Sequence, residues 1–129
     1  MKLGKLTPNL MVEDVNKTVD FYREVLGFSL TMSLPKEGTF EWAQMQNGET
    51  EIMFQSRKSM SSELDLFKEQ AVGASLTFFI DLKDVEKLYM KVRDEITVLA
   101  DLHVTFYGTK EFSMQDINGY ILTFAQMMQ

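Results

Sequence analysis

Cysteine is absent from this 129-residue chain, which excludes a disulfide framework and thiolate chemistry. Histidine occurs once, at His103. Ser–His and Cys–His nucleophile pairing is therefore not available, and one imidazole cannot by itself build a transition-metal centre. No glycine-rich loop of the phosphate-cradling kind is present. No apolar run approaches the ~20 residues of a membrane span. Charged or polar residues interrupt Met1 to Lys5 too soon for the apolar core of a signal peptide. A cytoplasmic location and no membrane partner are the expectations. Basic residues are also in short supply, 13 Lys and Arg against 19 Asp and Glu, for a net charge of -6. Such a field repels nucleic acid and tolerates or attracts cationic small molecules.

What is present is an ordinary globular balance, 45% hydrophobic and 25% charged residues, at a length that fits a single domain. The chain also repeats itself. Shifted by 70 positions, Thr7 to Val25 falls on Thr77 to Glu95, with coincidences at Thr7/Thr77, Asp14/Asp84, Val15/Val85, Lys17/Lys87 and Arg23/Arg93. In each half an apolar strand runs into an aspartate suited to a helix N-cap, Asp14 or Asp84. Val15, Val19, Tyr22, Val25 and Leu26 then share one helical face, and Val85, Leu88, Tyr89, Val92 and Ile96 share another. Gly27 stands where a C-terminal helix stop is expected. Three shorter strands follow in each half, over about 28–34, 39–46 and 50–56, then about 102–107, 110–116 and 120–126. Pro35 to Gly38 reads as a turn, and so do Asn47-Gly48 and Asn118-Gly119. Ser62 with Asp65 could cap a linking helix over Glu63 to Gln70. The pattern predicts an α+β fold of two βαβββ modules, about 1–57 and 73–129, joined by a linker helix within 58–72. Their curved mixed sheets are expected to surround a cleft, with the helices outside.

Two segments carry a family likeness. VEDVNKTVDFYREVLGF (Val12 to Phe28) resembles the opening signature of the glyoxalase / bleomycin-resistance / extradiol-dioxygenase superfamily, the vicinal oxygen chelate fold. YGTKEFSMQDINGYILTFAQ (Tyr107 to Gln126) resembles its closing signature, a hairpin followed by D-x-[DN]-G and a last strand. That superfamily holds metal-dependent lyases, isomerases, dioxygenases and thiol transferases, and also metal-free proteins that sequester drugs, so fold does not fix function. The resemblance puts the metalloenzymes' ligand positions at Thr7, Thr77, Thr123 and either Glu51 or Ile52. Packing favours Glu51, because Ile52 and Phe54 then point into the helix-covered core. Three hydroxyls and one carboxylate are a poor donor set for a divalent transition metal. No metal and no cofactor are expected. His103 lies away from all four positions and reads as a surface or strand-edge residue.

Strand parity places Thr7, Asn9 and Met11 on one face, as it does Thr77, Phe79 and Asp81, and Glu51, Met53 and Gln55. Phe40 and Trp42 share a face of the middle strand, while Tyr107 and Phe112 flank the last hairpin. The expected ligand-binding set is Thr7, Asn9, Trp42, Glu51, Met53, Thr77, Phe79 and Thr123. An aromatic, apolar lining with a few polar groups suits a flat, cationic organic molecule. The leading expectation is a small-molecule-binding protein; the alternative is a divergent glyoxalase-like lyase or isomerase with Glu51 as general base. The resemblance further implies a homodimer.

Overall fold

A computed structural model describes residues 1–73 and 75–128. The chain divides into two compact units, Met1–Val72 and Gly73–Gln129. In the first, β1 (Asn9–Val12), α1 (Val15–Glu24), β2 (Ser29–Leu34), β3 (Trp42–Asn47) and β4 (Thr50–Ser56) are followed by α2 (Arg57–Glu63) and a 3₁₀ turn at Asp65–Lys68. The strands lie in the order β1-β4-β3-β2, with β1 parallel to β4 and the other pairs antiparallel. In the second, β5 (Thr77–Asp81), α3 (Val85–Val92), β6 (Thr97–Val104), β7 (Thr109–Gln115) and β8 (Ile121–Met127) follow one another. They repeat the arrangement as β5-β8-β7-β6, with β5 parallel to β8. This is the expected α+β pair of βαβββ modules.

The helices begin where the aspartates said they would. Asp14 accepts from the Lys17 amide at 2.9 Å and Asp84 from the Lys87 amide at 3.1 Å, each satisfying a first-turn donor. Val15, Thr18, Val19 and Tyr22 of α1 are buried. Tyr22, wholly enclosed, lies 4.8 Å from the Phe54 ring and 5.3 Å from Phe28. Gly27 takes a φ of +72°, which lets the Phe28 amide donate to the Tyr22 carbonyl at 2.9 Å and ends the helix. In the second unit Tyr89 of α3 packs 5.0 Å from Phe112, which stacks on Phe124 at 5.3 Å.

Register follows from burial. Ile52 and Phe54 are 1% and 0% exposed, so they face the core and Glu51 and Met53 face away from it. Slipping β4 by one residue would expose both apolar side chains, a loss of roughly 1.5–3 kcal/mol each, and push Glu51 inward.

Several boundaries differ from the sequence expectation. The linking helix is α2, Arg57–Glu63, capped by Ser56, whose hydroxyl accepts from the Ser59 amide at 3.2 Å. Residues from Asp65 make only the 3₁₀ turn, so Ser62 and Asp65 cap no α-helix over 63–70. β3 starts at Trp42, and Phe40 lies outside it, its amide held by the Asn16 side chain at 2.8 Å. α3 stops at Val92, which leaves Ile96 beyond the helix. β6 runs from Thr97 to Val104 rather than over 102–107. Its two register shifts against β7 interrupt the alternation on which a sequence reading depends. Phe112 is fully buried beneath α3 and does not flank an open face. Asn47 pairs with Thr50, so the loop is Gly48–Glu49 with glycine at the first central position, φ +59°.

Candidate functional site

Pairing across the first sheet sorts its side chains into two sets. Leu10, Ala43, Met45, Ile52 and Phe54 form the buried set under α1. Asn9, Trp42, Gln44, Glu51, Met53 and Gln55 share the opposite face, since Asn9 pairs with Met53, Gln44 with Met53 and Trp42 with Gln55. Asn9, Trp42, Glu51 and Met53 of the expected binding set are thus brought onto one surface. Thr7 is half-buried, two residues before β1.

The Trp42 end of this face is a shallow pocket of about 350 Å³, with Met32 and Leu34 of β2 beside the indole and Glu41, Gln55, Ser59 and Glu63 around it. Met32 and Leu34 are 58% and 59% exposed, adjacent to the indole, so together they make an apolar surface. Gln55 is only 5% exposed, and its hydrogen bonds are complete. Its oxygen accepts from the Asn9 amide at 2.8 Å, and its nitrogen donates to Ser59 Oγ at 2.9 Å and Glu63 Oε1 at 3.1 Å. The early start of α2 is what delivers Ser59 and Glu63 to this place. Gln55 could be placed on the face by strand parity, but its fixed orientation depends on a helix that the sequence puts too late.

The Glu51 end is different from the expectation of a lone carboxylate. Glu51 side-chain exposure is 13%, and it forms an ion pair with Lys5 at 2.6 Å. Its second oxygen accepts a short hydrogen bond from the Gln44 amide. Each Glu51 oxygen thus has one partner, and the Lys5 ammonium beside it favours the ionised carboxylate, a weaker base than an isolated one in an apolar cleft. No sequence signal pointed to Lys5, because the contact spans 46 residues from a segment without regular structure.

A wider concavity of about 820 Å³ lies at the start of α1, where Glu13, Asp14, Phe40, Glu41 and Lys58 contribute to its wall. Phe40 belongs there and not beside Trp42. Glu13 is already paired with Arg57 at 2.6 Å, and Asp14 is committed to its helix cap.

In the second unit the face away from α3 is more polar. Phe79 pairs with Thr123 and Thr77 with Ile121. Phe79 is 57% exposed, while Thr123 is buried with its hydroxyl 2.8 Å from Ser113 Oγ. Thr77 and Asp81 are exposed. Glu111, missed by the sequence reading, is buried on this face. It accepts from the Tyr107 hydroxyl at 2.9 Å and from Thr109 Oγ1 at 2.7 Å. The bond to the Glu111 carboxylate, with some desolvation, holds the Tyr107 phenol above its ordinary pKa. Tyr89 is raised likewise by donating to Asp101 at 2.9 Å. His103 is exposed on the outer strand β6, its Nδ1 2.7 Å from the Asp101 carbonyl.

The superfamily's metal does not fit these residues. Thr7, Thr77 and Thr123 offer neutral hydroxyls, the Thr123 hydroxyl is hydrogen-bonded to Ser113, and Glu51 is neutralised by Lys5. Among the described residues, no three His, Cys, Asp or Glu side chains converge in a way that could hold an ion.

The comparisons with known proteins agree with the fold. The superfamily described as Glyoxalase/Bleomycin resistance protein/Dioxygenase matches residues 3–124. YraH of Bacillus subtilis (strain 168) is 34% identical over 92 residues, covering 69% of this chain and 68% of that protein. A glyoxalase/bleomycin resistance protein/dioxygenase from Nocardioides superposes with a TM-score of 0.82 at 12% identity, over 100% of this chain and 86% of that one. The bleomycin-binding protein of Streptomyces verticillus, solved with copper(II)-bleomycin, superposes with a TM-score of 0.65 at 17% identity, over 100% and 99% of the two chains. At those identities the solved structures speak for fold alone. With the profile spanning nearly the whole sequence, the chain belongs to the glyoxalase/bleomycin resistance protein/dioxygenase superfamily.

Proposed function

We propose that this protein binds a small aromatic organic cation on the open face of its first sheet, without a metal, and acts by sequestration or carriage. The observation that carries the reading is the Trp42 pocket. An indole flanked by the exposed Met32 and Leu34 gives an apolar, polarisable platform, and Glu41 and Glu63 supply negative charge at its rim. Apolar walls, an aromatic ring and a few fixed polar groups are what a flat organic ligand needs, and an indole face beside carboxylates favours a cation. Gln55, locked by Asn9, Ser59 and Glu63, gives the pocket a floor of fixed orientation. The net charge of -6 favours the same ligand class through long-range attraction. The superfamily includes metal-free binding proteins, and the donor set above suits that branch. We further propose that it works as a cytoplasmic homodimer, in which pairing covers outer strands and exposed apolar residues such as Phe79.

Calorimetric titration with 1-methylquinolinium, with uncharged quinoline as control, tests the reading. Preference for the cation, unchanged by chelator, is expected, and elemental analysis of protein purified without chelator should find well under one equivalent of nickel, zinc, iron or manganese. Binding that vanishes with chelator and returns with one of these metals would overturn it.

A further inference from the structure

The N-terminal segment brings a cation onto the binding face from outside the sheet. Residues 1–8 form no helix or strand. Leu3 and Leu6 are 90% and 88% exposed, so apolar burial does not hold the segment down. Two contacts do. The Pro8 carbonyl accepts from the Met53 amide at 2.8 Å, and three residues earlier the Lys5 ammonium meets Glu51 at 2.6 Å. The two partners are unequal, since the Lys5 side chain is 60% exposed and that of Glu51 is 13% exposed. An ion pair with one partner in solvent is weak and sensitive to salt. The Glu51 carboxylate, in contrast, has a second partner, the Gln44 side-chain amide, within the sheet.

Resting on the organic-cation reading above, we propose that Lys5 is an intramolecular counter-ion for Glu51, carried on an N-terminal strap and displaced by the cationic group of the ligand. The strap makes the Glu51 end of the face electrically neutral when no ligand is bound. It also selects against neutral and anionic molecules, which cannot replace the lysine. Geometry adds a length. Trp42 lies opposite Gln55 and Glu51 opposite Gln46, four positions apart along β3, or ~13 Å at ~3.3 Å per residue. A ligand that stacks on Trp42 and displaces Lys5 therefore carries its aromatic ring system and its cation about that far apart, counted from the ring to the charged nitrogen.

A naphthyl-hexyl-trimethylammonium probe, with the matching naphthyl-hexanol as uncharged control, suits the test. Calorimetry at low salt on the unaltered protein, Lys5→Ala, Glu51→Gln and the double variant should show Lys5→Ala binding the cation about two- to five-fold more tightly. Glu51→Gln should weaken binding and abolish the gain from Lys5→Ala, the non-additivity expected of one shared contact. Limited trypsin digestion gives an independent readout. Saturating probe should speed cleavage of the Lys5–Leu6 bond in the unaltered protein, as the strap is released, and leave the already faster cleavage of Glu51→Gln unchanged. If the unaltered protein binds the probe and Lys5→Ala binds it no more tightly, or if probe slows cleavage after Lys5, the strap is overturned while the cation reading stands. If none of the four proteins binds the probe while the unaltered protein binds 1-methylquinolinium, the strap alone is overturned; if neither compound is bound, both readings are overturned.

Discussion

Replacing Trp42 by alanine separates a binding platform from a core residue, because the two roles predict opposite changes. Trp42 sits on β3 next to Ala43, and it is Ala43, with Phe54 opposite, that is wholly enclosed under α1. The indole, half-exposed on the other face, supports none of that packing. A tryptophan in a closed core costs about 3–5 kcal/mol when cut to alanine; with half of the ring already in water, roughly 1–2 kcal/mol is expected here. The loss in binding should be at least comparable, about 1–3 kcal/mol for a stacking aromatic, or roughly 5- to 150-fold in Kd. Calorimetry is the assay of choice, since Trp42 is the chain's one tryptophan and its removal abolishes the fluorescence signal. Urea denaturation of the same variant supplies the stability change. A stability loss of about 3–5 kcal/mol, with affinity per folded molecule unchanged, would refute the assignment and place Trp42 in the core.

Three further outcomes are expected. Asp116, 6% exposed, accepts from the Asn118 and Tyr120 amides at 2.8 and 2.9 Å; Asp116→Ala should destabilise the fold by ~2–3 kcal/mol in urea with unchanged slope, whereas a neutral result would deny the carboxylate its part in shaping the loop. Tyr89 and Tyr107, with raised pKa values, should ionise above the pH of about 10 at which free tyrosine does in an absorbance titration, and Tyr107→Phe should remove one late step. Because the folded-state value is the higher one, the stability contributed by the Tyr107–Glu111 bond is complete below the phenol's unfolded pKa and is lost as pH rises through the folded one. Sedimentation at tens of micromolar protein should give twice the 14.9 kDa chain mass; a monomer would refute the proposed homodimer.

Much of the architecture was legible because it depends on local physics. An aspartate before an apolar helical face caps a helix wherever it occurs, and Asp14 and Asp84 do so. Period-two alternation sets the face of each residue on β4, which is why Ile52 could be assigned to the core and Glu51 to the opposite side. Alternation failed on β6, where register shifts break the period. It misled around Phe40, where a side-chain hydrogen bond from α1 holds the chain outside the strand. The linking helix begins several residues ahead of the Ser62 and Asp65 cap expected from sequence, because Ser56, at the end of β4, caps it there.

By itself, then, the sequence determined the module repeat, the helix starts, the sheet faces, the absence of thiolate donors and the presence of a single imidazole, all of which follow from residue type and short-range periodicity. Only the tertiary structure decided the chemistry of the site. Lys5 meets Glu51, and Asn9 meets Gln55, across 46 residues of chain. Glu63 joins Gln55 only because α2 begins where β4 ends. Such contacts depend on where the folded backbone places two side chains in space, and that placement leaves no pattern of hydrophobicity or spacing along the chain.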